Sequence, residues 1–295
     1  MSFAAELARH GPGSPWRGTS VEAFDYCQRL ARTHYENFAV ASRFVPRPLR
    51  RHVAAVYAWC RWADDLADET GPEADALLAW WGEELGRSYA GTPSHPVTAA
   101  LAETVTRFEI PPAPFRRLLD AFAQDQRVRD YGTFTELVAY CERSANPVGE
   151  LVLYLYGCHR PEFVPLSDAT CTGLQLANFW QDVARDRAIG RTYLPREDRE
   201  RFGVGEGDLA ATHCTPAMRE LIRFEVDRAR VYFARGAALP SLLPRAARRP
   251  VRLFGAGGVA TLDAIRAAGY DVLTRRPRVS RGAKLRLALK ALVGV

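Results

Sequence analysis

The sequence lacks the cysteine and histidine motifs of soft-metal and redox sites. Its six cysteines are scattered without a CxxC pair, and its six histidines include no HExxH or HxxxH pair. This pattern indicates against a zinc site and a disulfide framework, and reduced thiols are typical of a cytoplasmic protein. We expect no soft-metal chemistry in this chain.

Long apolar runs are also missing. No segment approaches the roughly 20 apolar residues that a membrane-spanning helix requires. Residues 1–20 carry Arg9 and Arg17 but no apolar stretch after them, so they do not resemble a signal peptide. We expect a cytoplasmic protein whose residues 1–20 form a flexible N-terminus.

Strand patterns are scarce as well, and the sequence shows no fixed-period repeat and no long linker. Apolar residues instead recur at helical spacing between Pro/Gly breaks. Hydrophobic residues make up 47% of the chain, enough for a sizeable core. The pattern predicts helices at about 21–42, 47–70, 73–89, 97–109, 113–130, 133–156, 166–188, 215–238, 246–268 and 280–294. We therefore expect an all-α fold, a single-domain helical bundle over residues 21–295.

The net charge of +6 limits the partners. A basic chain can bind nucleic acid, anionic lipid or an anionic substrate, but no nucleic-acid-binding module is recognisable. No GxGxxG follows a strand, so we expect no nicotinamide cofactor such as NADPH. The glycine-rich stretch 255–258 lies in a helical context and predicts close helix packing.

Two helices carry rows of oxygen-bearing side chains. In residues 53–69, one helix face presents Tyr57, Arg61, Asp64 and Asp68 at three- and four-residue spacing. In residues 171–186, one face presents Gln175, Asn178, Asp182 and Asp186. The other positions of both helices are mostly apolar, which is typical of buried helices. We expect both rows to line an internal cavity.

Such rows favour a cation. Carboxylates one helical turn apart lie about 6 Å from each other, and each pair costs roughly 3 kcal/mol at an effective dielectric near 20. Magnesium accepts Asp and Asn oxygens and shares its coordination with substrate phosphates. The alternative is that both rows are solvated surfaces, where salt screens the repulsion. A di-iron site is excluded because the Glu and Glu-x-x-His ligands are missing.

These segments resemble the squalene/phytoene synthase family, over most of the chain from about residue 35 to the late 280s. The resemblance is carried by residues 44–51 (FVPRPLRR), 64–68 (DDLAD), 140–149, and 178–186 followed by 190–195 (GRTYLP). It implies an all-α class I isoprenoid (terpenoid) synthase fold with a central apolar cavity. It also implies Mg²⁺, as a cluster of two or three ions, and an isoprenoid diphosphate substrate.

The resemblance also implies roles for individual residues. The metal ligands would be Asp64, Asp68, Asn178, Asp182 and Asp186. The substrate-binding residues would be Asn37, Tyr57, Arg61, Arg191 and Tyr193, with Ala145, Val148 and Gly149 beside the prenyl chain. Tyr140 and Gln175 would stabilise positive charge or place a water; alternatively, they are ordinary core polar residues. Arg61 has its own alternative, an ion pair with Asp64 or Asp65. Pro147 predicts a kink that shapes the cavity.

Within the family, residues 36–42, 144–149 and 178–182 resemble bacterial hydroxysqualene synthases of the hopanoid route. The chain departs from the wider pattern at Asn37, where a Ser is frequent, at Gln181, where a basic residue is common, and at Phe254, where a Tyr is frequent. Losing a basic residue at Gln181 suits a substrate with one diphosphate. The expected reaction joins presqualene diphosphate and water, giving hydroxysqualene and diphosphate.

Two other functions are considered. The same fold can condense two farnesyl or geranylgeranyl diphosphates head to head, as squalene, presqualene diphosphate or phytoene synthases do. A non-catalytic relative that binds lipid or protein is disfavoured, because both acidic rows are complete. The basic segment 279–295 predicts an amphipathic C-terminal helix, which either contacts an anionic membrane from the cytoplasmic side or packs on the bundle.

Overall fold

A computed structural model describes residues 2–34, 45–280, 282–283 and 286. Within these residues the chain is helical, and its only β-type pairing is a single parallel bridge between Asp130 and Thr192. The all-α prediction is therefore confirmed. The fold divides into two compact units, residues 1–127 with 150–159 and residues 128–149 with 160–295. The prediction of one domain stays a prediction.

The first unit contains the N-terminal helices. They are α1 (Phe3–His10), α2 (Ser20–His34), α3 (Arg47–Glu69), α4 (Ala74–Ala90), α5 (Pro96–Arg107) and α6 (Ala113–Asp125), with a 3-10 turn at Gly71–Glu73 before α4. Helix α3 contacts all five others, so it forms the centre of this unit. Its Trp59 and Trp62 are buried against Trp81 of α4, with ring centroids 6.2 and 5.4 Å apart respectively.

The N-terminal residues correct one prediction. Residues 1–20 were expected to be flexible, but Phe3–His10 forms helix α1. Phe3 packs edge-on against Trp62, with ring centroids 5.1 Å apart, and Leu7 also contacts the core. The prediction was wrong because two apolar residues four positions apart are enough to dock one helical turn on an existing core.

The second unit contains the helices that follow residue 127, apart from the end of α8. They are α7 (Phe134–Ser144), α8 (Asn146–Leu155), α9 (Val164–Ala188), α10 (Arg196–Arg201), α11 (Glu206–Leu209), α12 (Pro216–Gly236), α13 (Leu239–Leu242) and α14 (Arg245–Ala267). Helix α8 starts in this unit and ends in the first. Helices α9, α12 and α14 contact one another and form the centre of the unit. The sequence missed the short helices α10, α11 and α13.

Glycines allow these three helices to approach closely, as predicted for residues 255–258. A Cβ built on Gly258 would lie 2.3 Å from Cζ of Phe233 and 2.8 Å from a methyl carbon of Leu174. Its neighbour Gly257 has no atom within 4 Å of such a Cβ. Helix packing therefore requires the absence of a side chain at Gly258 but not at Gly257.

We expect alanine at these two positions to have opposite effects on stability. Gly258→Ala should lower the free energy of unfolding by about 1–3 kcal/mol, because the methyl group overlaps Phe233 and Leu174. Gly257→Ala should raise it by about 0.5–1 kcal/mol, because alanine loses less backbone entropy in a helix. Urea denaturation of both variants checks this, and equal effects would contradict the packing.

A buried histidine makes the first unit sensitive to acid. His52 is 0% exposed, and its Nδ1 lies 2.9 Å from Oγ1 of Thr104. Its pKa is lowered from 6.5 to about 4, mainly by burial and also by the positive charges of Arg51 and Arg107, while Glu103 opposes the shift. The folded state therefore favours the neutral ring.

We expect this histidine to destabilise the fold as the pH falls. Above pH 6.5 the ring is neutral in both states, whereas between 6.5 and about 4 only the unfolded chain binds the proton. Unfolding midpoints measured from pH 7 to pH 4.5 should therefore decline less steeply in His52→Gln than in the wild type. The exposed His213 provides the control, since His213→Gln should keep the wild-type slope. A parallel slope in His52→Gln would refute the assignment.

No described helix is both long and apolar enough to cross a bilayer.

Candidate active site

The first acidic row lies on helix α3, as predicted. The helix buries Trp59, Trp62 and Leu66, which confirms that its apolar positions form core. The row itself keeps access to solvent: the side chain of Asp64 is 43% exposed, and Asp68 is also exposed. Both carboxylates therefore remain accessible to a cation or a substrate.

Arg61 forms ion pairs within its own helix. Its Nε donates to Asp65 at 3.0 Å, a second nitrogen also bonds Asp65, and Nη1 donates to Asp64 at 3.2 Å. The alternative interpretation of Arg61 is thus confirmed, while its contact with phosphate stays a prediction. The site prediction omitted Asp65, although its position beside Asp64 was a usable signal. Burial raises the pKa of Asp65 to about 6, and Arg61 opposes this shift.

The second row lies on helix α9. Asn178 is exposed, Gln175 is partly buried, and the side chain of Asp182 is 20% exposed. The pKa of Asp186 is raised to about 7, mainly by burial and also by the charge of Asp182 one turn earlier. The like-charge repulsion expected from the spacing is therefore present, and a bound cation would relieve it.

Asp182 has a partner that the sequence did not indicate. Arg276 donates from Nε and Nη2 to the two carboxylate oxygens, the second at 2.8 Å. The preceding residue, Gln181, is buried and accepts a hydrogen bond from the same guanidinium at 2.8 Å. Since 94 residues separate Asp182 from Arg276, no local pattern could reveal this pair.

The loop after α9 brings three predicted residues together. The backbone nitrogen of Arg191 donates to the carbonyl of Asp186 at 2.8 Å, and the bridge to Asp130 holds Thr192. Asp186, Arg191 and Tyr193 line one small cavity of about 10 Å³. Arg191 also lowers the pKa of Asp186 against the effect of burial, so its guanidinium acts on that carboxyl group.

An aromatic stack adjoins this loop. Phe179 lies parallel to Tyr193 with ring centroids 3.9 Å apart, and Tyr140 stacks on Tyr193 at 6.0 Å. Tyr131 completes the group, 5.5 Å from Tyr140. All four rings are buried, so Tyr140 belongs to the core, as its alternative interpretation held. Its role in charge stabilisation stays a prediction, and Phe179 and Tyr131 were missed.

The segment around Pro147 is broken as predicted. Helix α7 ends at Ser144, Ala145 lies between the helices, and α8 starts at Asn146. Val148 is 41% exposed and Ala145 is buried. The effect of the break on a cavity stays a prediction.

Gly149, predicted to lie beside the prenyl chain, packs against α9. A Cβ there would lie 2.4 Å from Oγ of Ser167 and 2.5 Å from Sγ of Cys171. Helix packing therefore requires a residue without a side chain here, and the position of Gly149 beside a prenyl chain stays a prediction.

Other predictions lie outside the described residues. They are the substrate contact of Asn37 and most of the C-terminal helix at 279–295. Tyr57 is partly buried on α3, and its contact with phosphate stays a prediction.

The donor atoms fit magnesium. Among the described residues, no three His, Cys, Asp or Glu side chains form a cluster that could hold a metal by themselves. Magnesium does not need one, because it is commonly held by one or two carboxylates while waters and substrate phosphates complete its shell. Each row supplies two carboxylates one helical turn apart, and the repulsion at Asp186 favours a cation there.

Comparisons with known proteins identify the family. The chain is 47% identical to the crystal structure of squalene synthase HpnC from Alicyclobacillus acidocaldarius, with a TM-score of 0.82 over 85% of this chain and 95% of that one. A dehydrosqualene synthase structure is 26% identical with a TM-score of 0.84, over 93% and 97% of the two chains. The 15-cis-phytoene synthase of Synechocystis sp. (strain ATCC 27184 / PCC 6803 / Kazusa) is 33% identical over 96% of this chain and 88% of its own.

The two solved structures share the all-α fold of this chain, and the names of all three relatives indicate enzymes of isoprenoid biosynthesis. A family model described as squalene/phytoene synthase matches residues 31–283, which is most of the chain. The protein therefore belongs to the squalene/phytoene synthase family and is an enzyme that processes isoprenoid diphosphates.

Proposed function

We propose that the protein is a hydroxysqualene synthase, which converts presqualene diphosphate and water into hydroxysqualene and diphosphate. The observation that carries the proposal is its 47% identity to a bacterial squalene synthase, against 33% to a phytoene synthase. The bacterial motifs at 144–149 and 178–182 agree with it. Gln181 also agrees, because its helix carries no basic residue at that position for a second diphosphate.

The described side chains suit the loss of a diphosphate. Asp64, Asp68, Asn178, Asp182 and Asp186 would hold Mg²⁺, which neutralises the charge of the departing diphosphate when bound. Arg191 lies next to Asp186, where its guanidinium can donate to phosphate oxygens. In the overall reaction a C–O bond to diphosphate breaks, the hydroxyl oxygen of water bonds to carbon, and one proton is released.

Head-to-head condensation is the second candidate. Several curated relatives are phytoene synthases, including the phytoene synthase of Arthrospira platensis, 31% identical over 90% of this chain and 91% of its own. The same acidic rows and arginines would serve that reaction, since it also begins with loss of a diphosphate. The two candidates differ in substrate and in the number of diphosphates bound.

One assay separates the candidates. Purified protein with Mg²⁺ is offered presqualene, farnesyl or geranylgeranyl diphosphate, and the products are identified by mass spectrometry. We expect hydroxysqualene from presqualene diphosphate and no product from the other two. Squalene or presqualene diphosphate formed from farnesyl diphosphate, or phytoene from geranylgeranyl diphosphate, would refute the proposal in favour of condensation. Excess EDTA should abolish turnover.

We further propose that the protein is cytoplasmic and that its basic C-terminus contacts anionic lipid, because the product is very apolar. Residues 275–295 contain seven arginines and lysines, each of which adds about 1 kcal/mol of attraction near an anionic surface. Deleting residues 280–295 should weaken binding to phosphatidylglycerol vesicles. Undiminished binding would show that the C-terminus does not contribute.

A further inference from the structure

The ion pair between Arg276 and Asp182 engages a carboxylate that is predicted to bind metal. Arg276 uses two nitrogens on the two oxygens of one carboxylate, the geometry in which arginine binds carboxylates most strongly. The side chains of Arg276 and Asp182 are 25% and 20% exposed, so water screens the pair only partly. Asp182 therefore already has a cationic partner within the protein.

Gln181 keeps this arginine in place. Its Oε1 accepts a hydrogen bond from Nη2 of Arg276 at 2.8 Å, and its Nε2 donates to the carbonyl of Pro277 at 2.6 Å. Both ends of one buried amide thus hold neighbouring residues of the same segment. Asp271 fixes the start of that segment by accepting from the backbone nitrogen and hydroxyl of Thr274. The guanidinium is therefore positioned in advance at Asp182.

A metal ion at Asp182 must use the oxygens that Arg276 engages. A guanidinium and a divalent cation on one carboxylate repel each other, so the two cannot both bind at full strength. We propose that Arg276, positioned by Gln181, is an internal counter-ion that competes with the divalent cation for Asp182. Arg276 and Gln181 both act as positioning residues that set the metal affinity of the acidic row on α9.

The inference rests on the proposed function, because it takes Asp182 to be a metal ligand. The competition is reciprocal. If the guanidinium weakens metal binding to Asp182, then bound metal weakens the ion pair that ties residues 271–277 to helix α9 by the same factor. The opposite arrangement is that Arg276 orients Asp182 and helps it to bind metal. The two arrangements differ in the sign of the effect that follows removal of the guanidinium.

Metal titration without any diphosphate measures that sign. The affinity of the full chain for Mn²⁺ is determined by calorimetry, with folding of each variant checked by circular dichroism. Arg276→Gln is expected to bind Mn²⁺ at least about fivefold more tightly than the wild type. Arg276→Lys keeps the charge and should lie close to the wild type. Gln181→Met, which loosens the guanidinium without removing it, should lie between Arg276→Gln and the wild type.

Arg278 supplies the matched control. It is exposed in the same segment, so Arg278→Gln removes an equal charge and leaves the contacts of Asp182 unchanged. Its Mn²⁺ affinity should equal that of the wild type. Equal tightening in Arg276→Gln and Arg278→Gln would show a general charge effect and would overturn the inference. Unchanged or weaker Mn²⁺ binding in Arg276→Gln would overturn it as well.

Limited proteolysis provides a second readout. In the wild type, Mn²⁺ should accelerate tryptic cleavage after Arg275 and Arg278, read by mass spectrometry, because metal binding frees the segment. Asp182→Asn separates this inference from the proposed function. If that variant binds Mn²⁺ as the wild type does, Asp182 is not a ligand and the proposed metal site is itself wrong. If it loses Mn²⁺ while Arg276→Gln gains nothing, only the competition is refuted.

Discussion

Asp182→Asn is expected to lower kcat/KM for diphosphate release by at least about a hundredfold, since a lost metal ligand weakens both the binding and the placement of the cation. Asparagine keeps the shape of the side chain but removes the negative charge. The variant also removes the charge that raises the pKa of Asp186, so Asp186 is more fully ionised, but only one carboxylate of the row remains to attract the cation. Steady-state kinetics with presqualene diphosphate over a range of Mg²⁺ concentrations measures the change.

A second aspartate on the same helix controls for this loss. Asp168 lies fourteen residues before Asp182 on α9, about 21 Å along the helix axis. Asp168→Asn removes the same charge and should keep kcat/KM within about threefold of the wild type, as expected for a change remote from the chemistry. If both variants lose activity equally, the effect belongs to the charge of the helix. A fully active Asp182→Asn would show that this row does not hold the metal.

Arg228→Met is expected to lower the free energy of unfolding by about 3–5 kcal/mol, the usual cost of removing one partner from a buried ion pair. Arg228 on α12 donates to both oxygens of Asp198, at 2.7 and 3.2 Å, and its guanidinium lies 4.0 Å from the ring centroid of Phe134. Asp198 is 3% exposed, so water cannot replace the lost charge. Nearby Glu225 is 0% exposed, and burial raises its pKa to about 9.

The same helix again offers a matched control. Arg223 pairs with Glu220 three residues away, but these side chains are 55% and 54% exposed. Arg223→Met should therefore change the free energy of unfolding by less than about 1 kcal/mol. Urea denaturation of both variants at neutral pH makes the comparison. A similarly small loss of unfolding free energy in Arg228→Met would show that water or another group replaces Arg228 as the partner of Asp198.

The sequence by itself determined the parts of this protein that lie within single helices. Helix α3 and helix α9 were predicted within a few residues, and each acidic row follows directly from the 3.6-residue period. The break at Ala145 was indicated by Pro147, which cannot donate a backbone hydrogen bond. The family motif at 190–195 also identified the loop that carries Arg191 next to Asp186.

Only the tertiary structure decided which side chains from other parts of the chain contact the residues of these helices. Arg276 on Asp182, Tyr131 beside Tyr140, and Gly149 against Ser167 join residues that belong to different elements. Periodicity fixes the direction of a side chain on its own helix, but the partner that it meets depends on how helices pack. The sequence shows many arginines in residues 275–295, but the hydrogen bonds of Gln181 determine that Arg276 is the one that contacts the acidic row on α9.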